Sequence, residues 1–390
     1  MLWKQVEPHA AECCRRLWQA GFEAYPVGGC VRDLLLGRIP GDWDVTTNAL
    51  PEQVIDLFEH VIATGVKHGT VTVVLGDEHI EVTTFRTEDG YSDGRHPDAV
   101  RFDAGLEEDL SRRDFTINAM ALGPEGEVVD LFGGQKDLSE KVIRCVGDPV
   151  RRFGEDGLRM FRAVRFGAQL GFELTEETVQ AIKCSAFRAE NIAAERVRTE
   201  VEKILCSDRP ERMSQLFSFG LLGRWAQGCP TNLSCLSQLS AQPVLRWAKL
   251  CALLTAGNCV DSVEVFLRGL KLDGHTIRSC SMGHILWQEG LPQTDLDWRR
   301  ALAEYGDHAC RAAAAMGGAL EKLEQVLKQS PCVSVGGLDL SGHELAERGL
   351  HGAQIGMAQR YLLEHVLIHP GDNRAEILRL KAKEFAGRQH

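Results

Sequence analysis

Two carboxylates follow a glycine pair near the N-terminus, and together these residues could bind a metal ion beside a phosphate chain. Asp42 and Asp44 are separated by one residue and come after the segment Gly28-Gly29-Cys30-Val31-Arg32-Asp33. Glycines let the backbone approach a triphosphate closely. Arg32 can neutralise phosphate charge, and two carboxylates can hold Mg²⁺. A site for nucleotidyl transfer, in which an NMP passes from an NTP to a hydroxyl group, needs such an arrangement. The alternative is that the two acids are solvated surface residues, as acids near a turn usually are.

A third acidic residue, Glu81, is a candidate for the same catalytic group. Residues i and i+2 of a strand share a face, so a strand over residues 42–46 would present Asp42 and Asp44 together. Residues 79–85 also read as a strand, and a neighbouring strand could place Glu81 near the pair. Three carboxylates would suit a two-metal, in-line displacement. The alternative is that Glu81 is an exposed strand residue, because strand faces alternate in exposure.

Residues 112–121 read Arg-Arg-Asp-Phe-Thr-Ile-Asn-Ala-Met-Ala and carry polar groups that suit a nucleotide. Arg112 and Arg113 can grip the phosphates of a triphosphate or a primer. Asp114 and Asn118 can bond to a ribose 2′-hydroxyl, the group that distinguishes RNA from DNA. A solvated helix start is the alternative interpretation of the Arg-Arg-Asp group.

Residues 155–166 read Glu-Asp-Gly-Leu-Arg-Met-Phe-Arg-Ala-Val-Arg-Phe and have helical spacing. Residues three apart are neighbours on a helix, so this segment predicts one polar face. Ion pairs within the helix would explain the acid and base spacing, but not three arginines in successive i+3 steps. The candidate nucleotide-binding residues of this face are Glu155, Asp156, Arg159, Arg162 and Arg165.

In order and spacing, these three segments resemble the polymerase-β-like tRNA nucleotidyltransferase and bacterial poly(A) polymerase family, in its class II branch. The resemblance is dense over about residues 20–205 and thinner beyond. It implies an α+β fold, with a polymerase-β-like nucleotidyltransferase head containing a small mixed sheet, followed by an all-α neck, body and tail. The implied divisions are residues 1–140 (head), 141–205 (neck), 206–330 (body) and 331–390 (tail).

The resemblance also implies the substrates and the role of the arginine helix. In this family the E-D-x-x-R element, here Glu155, Asp156 and Arg159, pairs with the base of incoming CTP or ATP in place of a nucleic-acid template. The implied partners are tRNA, CTP and ATP, and the implied cofactor is Mg²⁺ bound by Asp42 and Asp44. The helical C-terminal half would hold the tRNA acceptor stem and elbow by shape and backbone contacts.

Family members differ in product, and the sequence favours addition of the whole C-C-A end of tRNA. Residues 84–102 resemble the flexible loop of members that can add adenosine, which disfavours a cytidine-only enzyme. A poly(A) polymerase usually carries a basic extension, whereas this chain has a net charge of −11. Adenosine-only addition remains the alternative.

Two hypotheses come from other classes of protein. A non-catalytic RNA-binding protein would be expected to have lost a carboxylate or template residue. An antibiotic- or protein-modifying enzyme would not explain residues 112–121.

Composition is that of an ordinary globular protein. There is no run of about 18 apolar residues, so no membrane-spanning helix is expected. The 13 cysteines form no C-x-x-C pair or zinc-type spacing, which predicts reduced thiols and a cytoplasmic location. The negative net charge argues against non-specific nucleic-acid binding by the whole surface and favours a confined phosphate site.

Overall fold

The computed structural model describes residues 2–63, 65–90 and 99–387. The chain divides into two compact units, Met1–Arg224 and Trp225–His390. The first unit contains a mixed sheet and the segments singled out above, and the described residues of the second contain helices but no strand. The predicted α+β class is therefore confirmed. The finer division at residues 140, 205 and 330 stays a prediction.

The main sheet of the first unit has five strands in the order β1-β2-β5-β4-β3. Strand β2 is parallel to β5, and the other neighbours are antiparallel. The strands are β1 Ala24–Pro26, β2 Asp44–Thr47, β3 Val61–Ile62, β4 Thr70–Leu75 and β5 Glu78–Thr84. Three separate two-stranded pairs are formed by β6 Thr87–Asp89 with β7 Ala99–Arg101, β8 Met120–Leu122 with β9 Val128–Asp130, and β10 Val142–Ile143 with β11 Glu173–Leu174.

The central strands β4 and β5 form because their sequences are rich in β-branched residues with alternating burial. Val71 and Val73 of β4 are buried, as are Ile80 and Val82 of β5, and Gly76 makes the turn between the strands with φ +60°. Two strand patterns, residues 70–75 and 79–85, separated by Gly76-Asp77, predict a hairpin. The hairpin is present with nearly these bounds. Strand β5 in turn fixes the position of β2, the strand on which the acid pair begins.

The described residues of the first unit also form ten α-helices. They are α1 Pro8–Gln19, α2 Gly29–Leu35, α3 Pro51–Leu57, α4 Leu106–Ser111, α5 Gly134–Glu140, α6 Pro149–Glu155, α7 Leu158–Leu170, α8 Glu176–Ser185, α9 Ala194–Leu205 and α10 Met213–Ser218. Helix α7 buries Met160, Phe161 and Val164 completely and packs against α9. Arg165 of α7 also donates from its Nε to Oε2 of Glu200 on α9, at 2.6 Å.

Two local predictions are wrong in detail. The acidic strand begins at Asp44 rather than Asp42, because the parallel pairing with β5 starts at Asp44. The lack of periodicity and the several helix- and strand-breaking residues of segment 87–99 predict a loop, yet its two ends pair as β6 and β7. Residues 91–98, the centre of the predicted flexible loop, lie outside the described residues.

The second unit contains nine α-helices within its described residues. They are α11 Pro243–Ala256, α12 Val263–Gly269, α13 Gly274–Glu289, α14 Asp295–Tyr305, α15 Asp307–Gly317, α16 Leu320–Leu327, α17 Gly342–Glu347, α18 Ala353–Ile368 and α19 Ala375–Gly387. Helices α13 and α15 pack closely because Gly283 has no side chain; a Cβ there would lie 2.7 Å from that of Ala312. No helix in the described ranges is both long and apolar enough to cross a membrane.

Candidate active site

A cavity of about 490 Å³ in the first unit brings the three sequence segments together. Its volume lies in the range of small-molecule sites. Two predicted site residues, Glu81 and Glu155, do not line it. The predicted residues that do are Gly28, Gly29, Arg32, Asp42, Asp44, Arg112, Arg113, Asp114, Asn118, Asp156, Arg159, Arg162 and Arg165.

The acid pair forms one edge of this cavity. Asp44 opens β2 and Asp42 lies just before the strand, while Trp43 between them is buried, with 7% of its surface exposed. The register of β2 and β5 places Glu81 opposite Asp44. Glu81 is itself exposed and lies outside the cavity lining. The structure thus brings the pair together and leaves Glu81 as its neighbour on the next strand.

The acid pair carries concentrated negative charge in a partly desolvated position. Burial, above all, raises the pKa of Asp44; Arg113 opposes the shift, whereas the charges of Glu81 and Asp42 add to it, bringing the pKa to about 6. A carboxyl group in this position would be stabilised in its ionised form by a bound cation.

The donor set fits a divalent metal ion that arrives together with a triphosphate. Among the described residues, no group of three His, Cys, Asp or Glu side chains could hold a metal ion by itself. Mg²⁺, however, is commonly bound by one or two carboxylates, with substrate phosphates and water completing its coordination. Asp42 and Asp44 supply two such carboxylates beside an arginine-lined cavity.

The glycine turn lies directly under one arginine. Gly28 has a φ of +80° and ψ of −125°, a conformation for which glycine is suited. A Cβ on Gly28 would lie 2.9 Å from Nη1 of Arg113. Nε of Arg113 is buried and has no hydrogen-bond partner within the described part of the chain. Arg113 therefore presents unused donor capacity where the sequence predicts a triphosphate.

Arg112 has different surroundings, although the sequence treats the two arginines alike. Its Nε and Nη2 donate to Oδ1 of Asp109 at 3.0 and 2.7 Å, and its Nη1 donates to Oε1 of Glu88 at 3.2 Å. All three guanidinium nitrogens of Arg112 are therefore engaged with protein carboxylates. Arg113 is the better placed of the two to receive a phosphate.

Asp114 and Asn118 form a connected polar group with two arginines. Oδ2 of Asp114 accepts from Nε of Arg162 at 2.6 Å, and Nη1 of Arg32 donates to Oδ1 of Asn118 at 2.7 Å. Burial alone would raise the pKa of Asp114, but the guanidiniums of Arg162 and Arg159 lower it to about 2. Asp114 is thus an anion held by arginines, and Asn118 links it to the glycine turn's Arg32.

The continuous helical face predicted for residues 155–165 is wrong, because the helix breaks at Asp156. Helix α6 ends at Glu155, Asp156 is extended (φ −143°, ψ 109°), and α7 starts at Leu158. The Asp156 carboxylate accepts from the backbone N–H of Leu158 at 3.0 Å, which stabilises the break.

The break sends the two acids in different directions. Glu155 is buried and pairs with Arg152 and Arg159, so it supports Arg159 rather than lining the cavity. Asp156 does line the cavity, where its carboxylate receives both terminal nitrogens of Arg196, at 3.2 and 2.7 Å.

The structure adds Phe166 and Leu158, to which the sequence pattern assigns no role. Phe166 lines the cavity while only 5% exposed, with the guanidinium carbons of Arg32, Arg162 and Arg165 at 5.2, 5.3 and 4.1 Å from its ring centre. The face of an aromatic ring attracts positively charged groups at such distances. Leu158 and Arg196 also line the cavity. An aromatic residue directly after an i+3 arginine series was the signal that could have identified Phe166.

Comparison with known families agrees with this geometry. Residues 24–144 match the family described as "Poly A polymerase head domain", and residues 171–225 match the one described as "Probable RNA and SrmB-binding site of polymerase A". The first match contains the glycine turn, the acid pair and the Arg-Arg-Asp segment.

Relatives similar over nearly the whole chain are described as CCA-adding enzymes. That of Lactobacillus delbrueckii subsp. bulgaricus is 39% identical over 383 residues, covering 93% of this chain and 94% of the relative. That of a Geobacillus species is 41% identical over 350 residues, covering 84% of each. The structure is similar to that of the Bacillus stearothermophilus CCA-adding enzyme in complex with CTP, with a TM-score of 0.80, 34% identity and coverage of 98% of this chain and 99% of that one.

Proposed function

The chain belongs to the family of CCA-adding enzymes, and we propose that it adds the 3′-terminal C-C-A to tRNA from CTP and ATP without a nucleic-acid template. The observation that carries this conclusion is the single cavity that combines an acid pair, a glycine turn and an arginine-rich helix. The chemistry of such a site requires a metal-binding edge, a phosphate-binding floor and a wall that reads the base.

The acid pair provides the metal-binding edge. Asp42 and Asp44 would hold Mg²⁺, and Glu81, opposite Asp44 across the β2–β5 pair, adds negative charge from outside the cavity. A divalent metal held there would supply activation of the attacking 3′-hydroxyl and neutralisation of charge on the departing pyrophosphate. The residues of this edge orient the phosphate chain so that the hydroxyl attacks in line.

The phosphate and ribose positions follow from the free donors. Arg113, whose Nη1 lies above the Gly28 turn and whose Nε has no hydrogen-bond partner within the described chain, binds the triphosphate. Asp114 and Asn118 lie next to this position and bond to the ribose 2′-hydroxyl, which selects ribonucleotides.

The helix wall explains selection of C and A. Cytosine and adenine both present an amine donor beside a ring-nitrogen acceptor, whereas uracil and guanine present a carbonyl beside an N–H. A carboxylate at Asp156 and a guanidinium at Arg159 complement the first pattern and oppose the second. Arg159→Ala should therefore admit UTP or GTP more readily, and unchanged nucleotide selection in that variant would contradict this role.

We further propose that the second unit contacts tRNA and that the enzyme works in the cytoplasm. The lining residues of the nucleotide cavity all belong to the first unit, and the described part of the second unit is helical. All 13 cysteines are free thiols, which suits a reducing compartment that also holds CTP, ATP and tRNA.

Single-nucleotide extension tests the function. Purified protein and Mg²⁺ are offered tRNA that lacks the C-C-A end, that ends in one C, or that ends in both, with each NTP alone and in combination. We expect two cytidines and then one adenosine, after which addition stops. Adenosine added only to tRNA ending in C-C would make the chain an adenosine-adding enzyme, and a long adenosine tail would make it a poly(A) polymerase.

A further inference from the structure

Asp109, on helix α4, is a completely buried carboxylate that lies behind the cavity rather than in its lining. Its Oδ1 accepts two hydrogen bonds from Arg112, and its Oδ2 accepts from Nη2 of Arg113 at 3.2 Å. The hydroxyl of Thr46 lies 3.1 Å from the same Oδ2. A buried charge is expensive unless it is paired, so this residue needs all of these partners.

These partners belong to two different parts of the site. Thr46 is on β2, two residues after Asp44, and therefore shares its strand face. Arg113 follows α4 and reaches over the Gly28 turn. Asp109 thus connects the strand that begins with the metal-binding edge to the arginine above the turn.

The orientation of Arg113 depends on this carboxylate. Nη2 faces Asp109, Nη1 faces the turn, and Nε is buried without a partner in the described chain. Because a guanidinium is planar, fixing Nη2 also fixes the directions in which Nη1 and Nε point. A long arginine side chain without this anchor would lose its fixed direction.

We propose that Asp109 is a positioning residue that holds the Arg113 guanidinium over the Gly28 turn, in register with the Asp44 strand, to receive the triphosphate of the incoming nucleotide. The inference deepens the proposed function and rests on it. It assigns Asp109 no contact with substrate; its whole effect passes through Arg113. A purely structural residue would instead affect every ligand of the site alike.

The experiment compares binding of CTP and CMP to the full chain, with Mg²⁺ and without tRNA, by calorimetry. Asp109→Asn should weaken CTP binding roughly tenfold, the order expected for losing a charge-assisted hydrogen bond, and leave CMP binding nearly unchanged. Asp137→Asn is the matched control, because Asp137 is also buried and bonded to an arginine and a threonine, Arg144 and Thr116, outside this cavity. It should leave the ratio of CTP to CMP affinity unchanged.

A double variant tests whether Asp109 acts through Arg113. Arg113→Gln combined with Asp109→Asn should bind CTP no more weakly than Arg113→Gln alone. Losses that multiply, or an equal loss of CTP and CMP affinity in Asp109→Asn, would overturn the proposal.

If Asp109→Asn fails to fold, Thr46→Val takes its place. It should lower the ratio of CTP to CMP affinity in the same direction by a smaller factor, and an unchanged ratio would overturn the proposal. The proposed function has a separate readout, which is extension of tRNA by the wild-type protein. A wild-type protein that binds CTP but cannot extend tRNA would contradict C-C-A addition and would say nothing about the role of Asp109.

Discussion

At the scale of single residues, Gly28 meets two requirements: its backbone has a positive φ, and its lack of a side chain leaves room for Arg113. We expect Gly28→Ala to lower stability by about 1–3 kcal/mol, because its backbone conformation is unfavourable for other residues. We also expect weaker CTP binding, because the new Cβ would lie 2.9 Å from Nη1 of Arg113. Gly21→Ala is the matched control: Gly21 also has positive φ, but a Cβ there meets nothing within 4 Å. Denaturant unfolding and CTP titration of both variants separate the two effects. Equal CTP affinity in both would contradict the Arg113 contact.

The raised pKa of Asp44 predicts how metal dependence changes with pH. Burial, opposed by Arg113 and reinforced by Glu81 and Asp42, brings that pKa to about 6, so below this pH the carboxyl is increasingly protonated and cannot bind a metal ion. The Mg²⁺ concentration for half-maximal extension should therefore rise as pH falls below about 6, by up to about tenfold per pH unit. Glu81→Gln removes a charge that raises the pKa and should move the onset to lower pH. Glu78→Gln, an exposed change on the same strand, should leave it in place. If Glu81→Gln instead raised the pH at which more Mg²⁺ is needed, the effect of Glu81 on the pKa of Asp44 would be contradicted.

The types of residue at the site can be predicted from the sequence better than their individual roles. Asp42, Asp44 and the arginines share a cavity as their spacing suggested. The difference between Arg112 and Arg113 depends on Asp109 and Glu88, whose side chains meet them only in the folded chain. Asp109 stands three and four residues before the two arginines, a helical ion-pair spacing that could have been recognised. Its contact with Thr46, 63 residues away, could not.

At the scale of elements, the break between α6 and α7 separates a supporting acid from a cavity-lining one. Glu155→Gln should loosen Arg159 and increase UTP incorporation relative to CTP, with a stability loss of about 1–3 kcal/mol from the weakened pairing of buried Arg152. Arg151→Gln is the control, because Arg151 pairs with the same acid from an exposed position and such pairs contribute little. The measurements are single-nucleotide extension with each NTP and denaturant unfolding. A folded Glu155→Gln variant with wild-type selection would show that Arg159 needs no such support.

Elements with strong periodicity were predicted well, and the break was not. The sequence pattern predicts helices over residues 50–58, 195–205 and 245–254, and helices α3, α9 and α11 lie close to these ranges. The hairpin of β4 and β5 agrees equally well, because burial of alternate or helically spaced residues decides such elements. Equally periodic spacing is found for Asp156, Arg159, Arg162 and Arg165. The helix is nevertheless interrupted between Glu155 and Leu158. The interruption depends on a local bond from the Asp156 carboxylate to a backbone N–H, which periodicity does not encode.

At the scale of the whole molecule, charge is distributed unevenly between the two units. Residues 225–390 contain equal numbers of acidic and basic side chains, so the entire net charge of −11 belongs to residues 1–224. The cavity is nevertheless lined by seven arginines and four aspartates. An acidic surface around an arginine-rich cavity disfavours general binding of polyanions and concentrates phosphate binding at the site.

Because every cavity-lining residue belongs to the first unit, nucleotide and tRNA should protect different parts of the chain from hydrogen exchange. CTP with Mg²⁺ should slow amide exchange around residues 28–44, 110–118 and 156–166, since a bound ligand suppresses local opening of the segments it contacts. The addition of tRNA should slow exchange within residues 225–387 as well. Asp42→Asn is the control: it should lose much of the protection by CTP with Mg²⁺ and keep the protection by tRNA. Protection of residues 225–387 by CTP alone, to the same extent as residues 28–44, would place nucleotide binding outside the cavity and contradict the site.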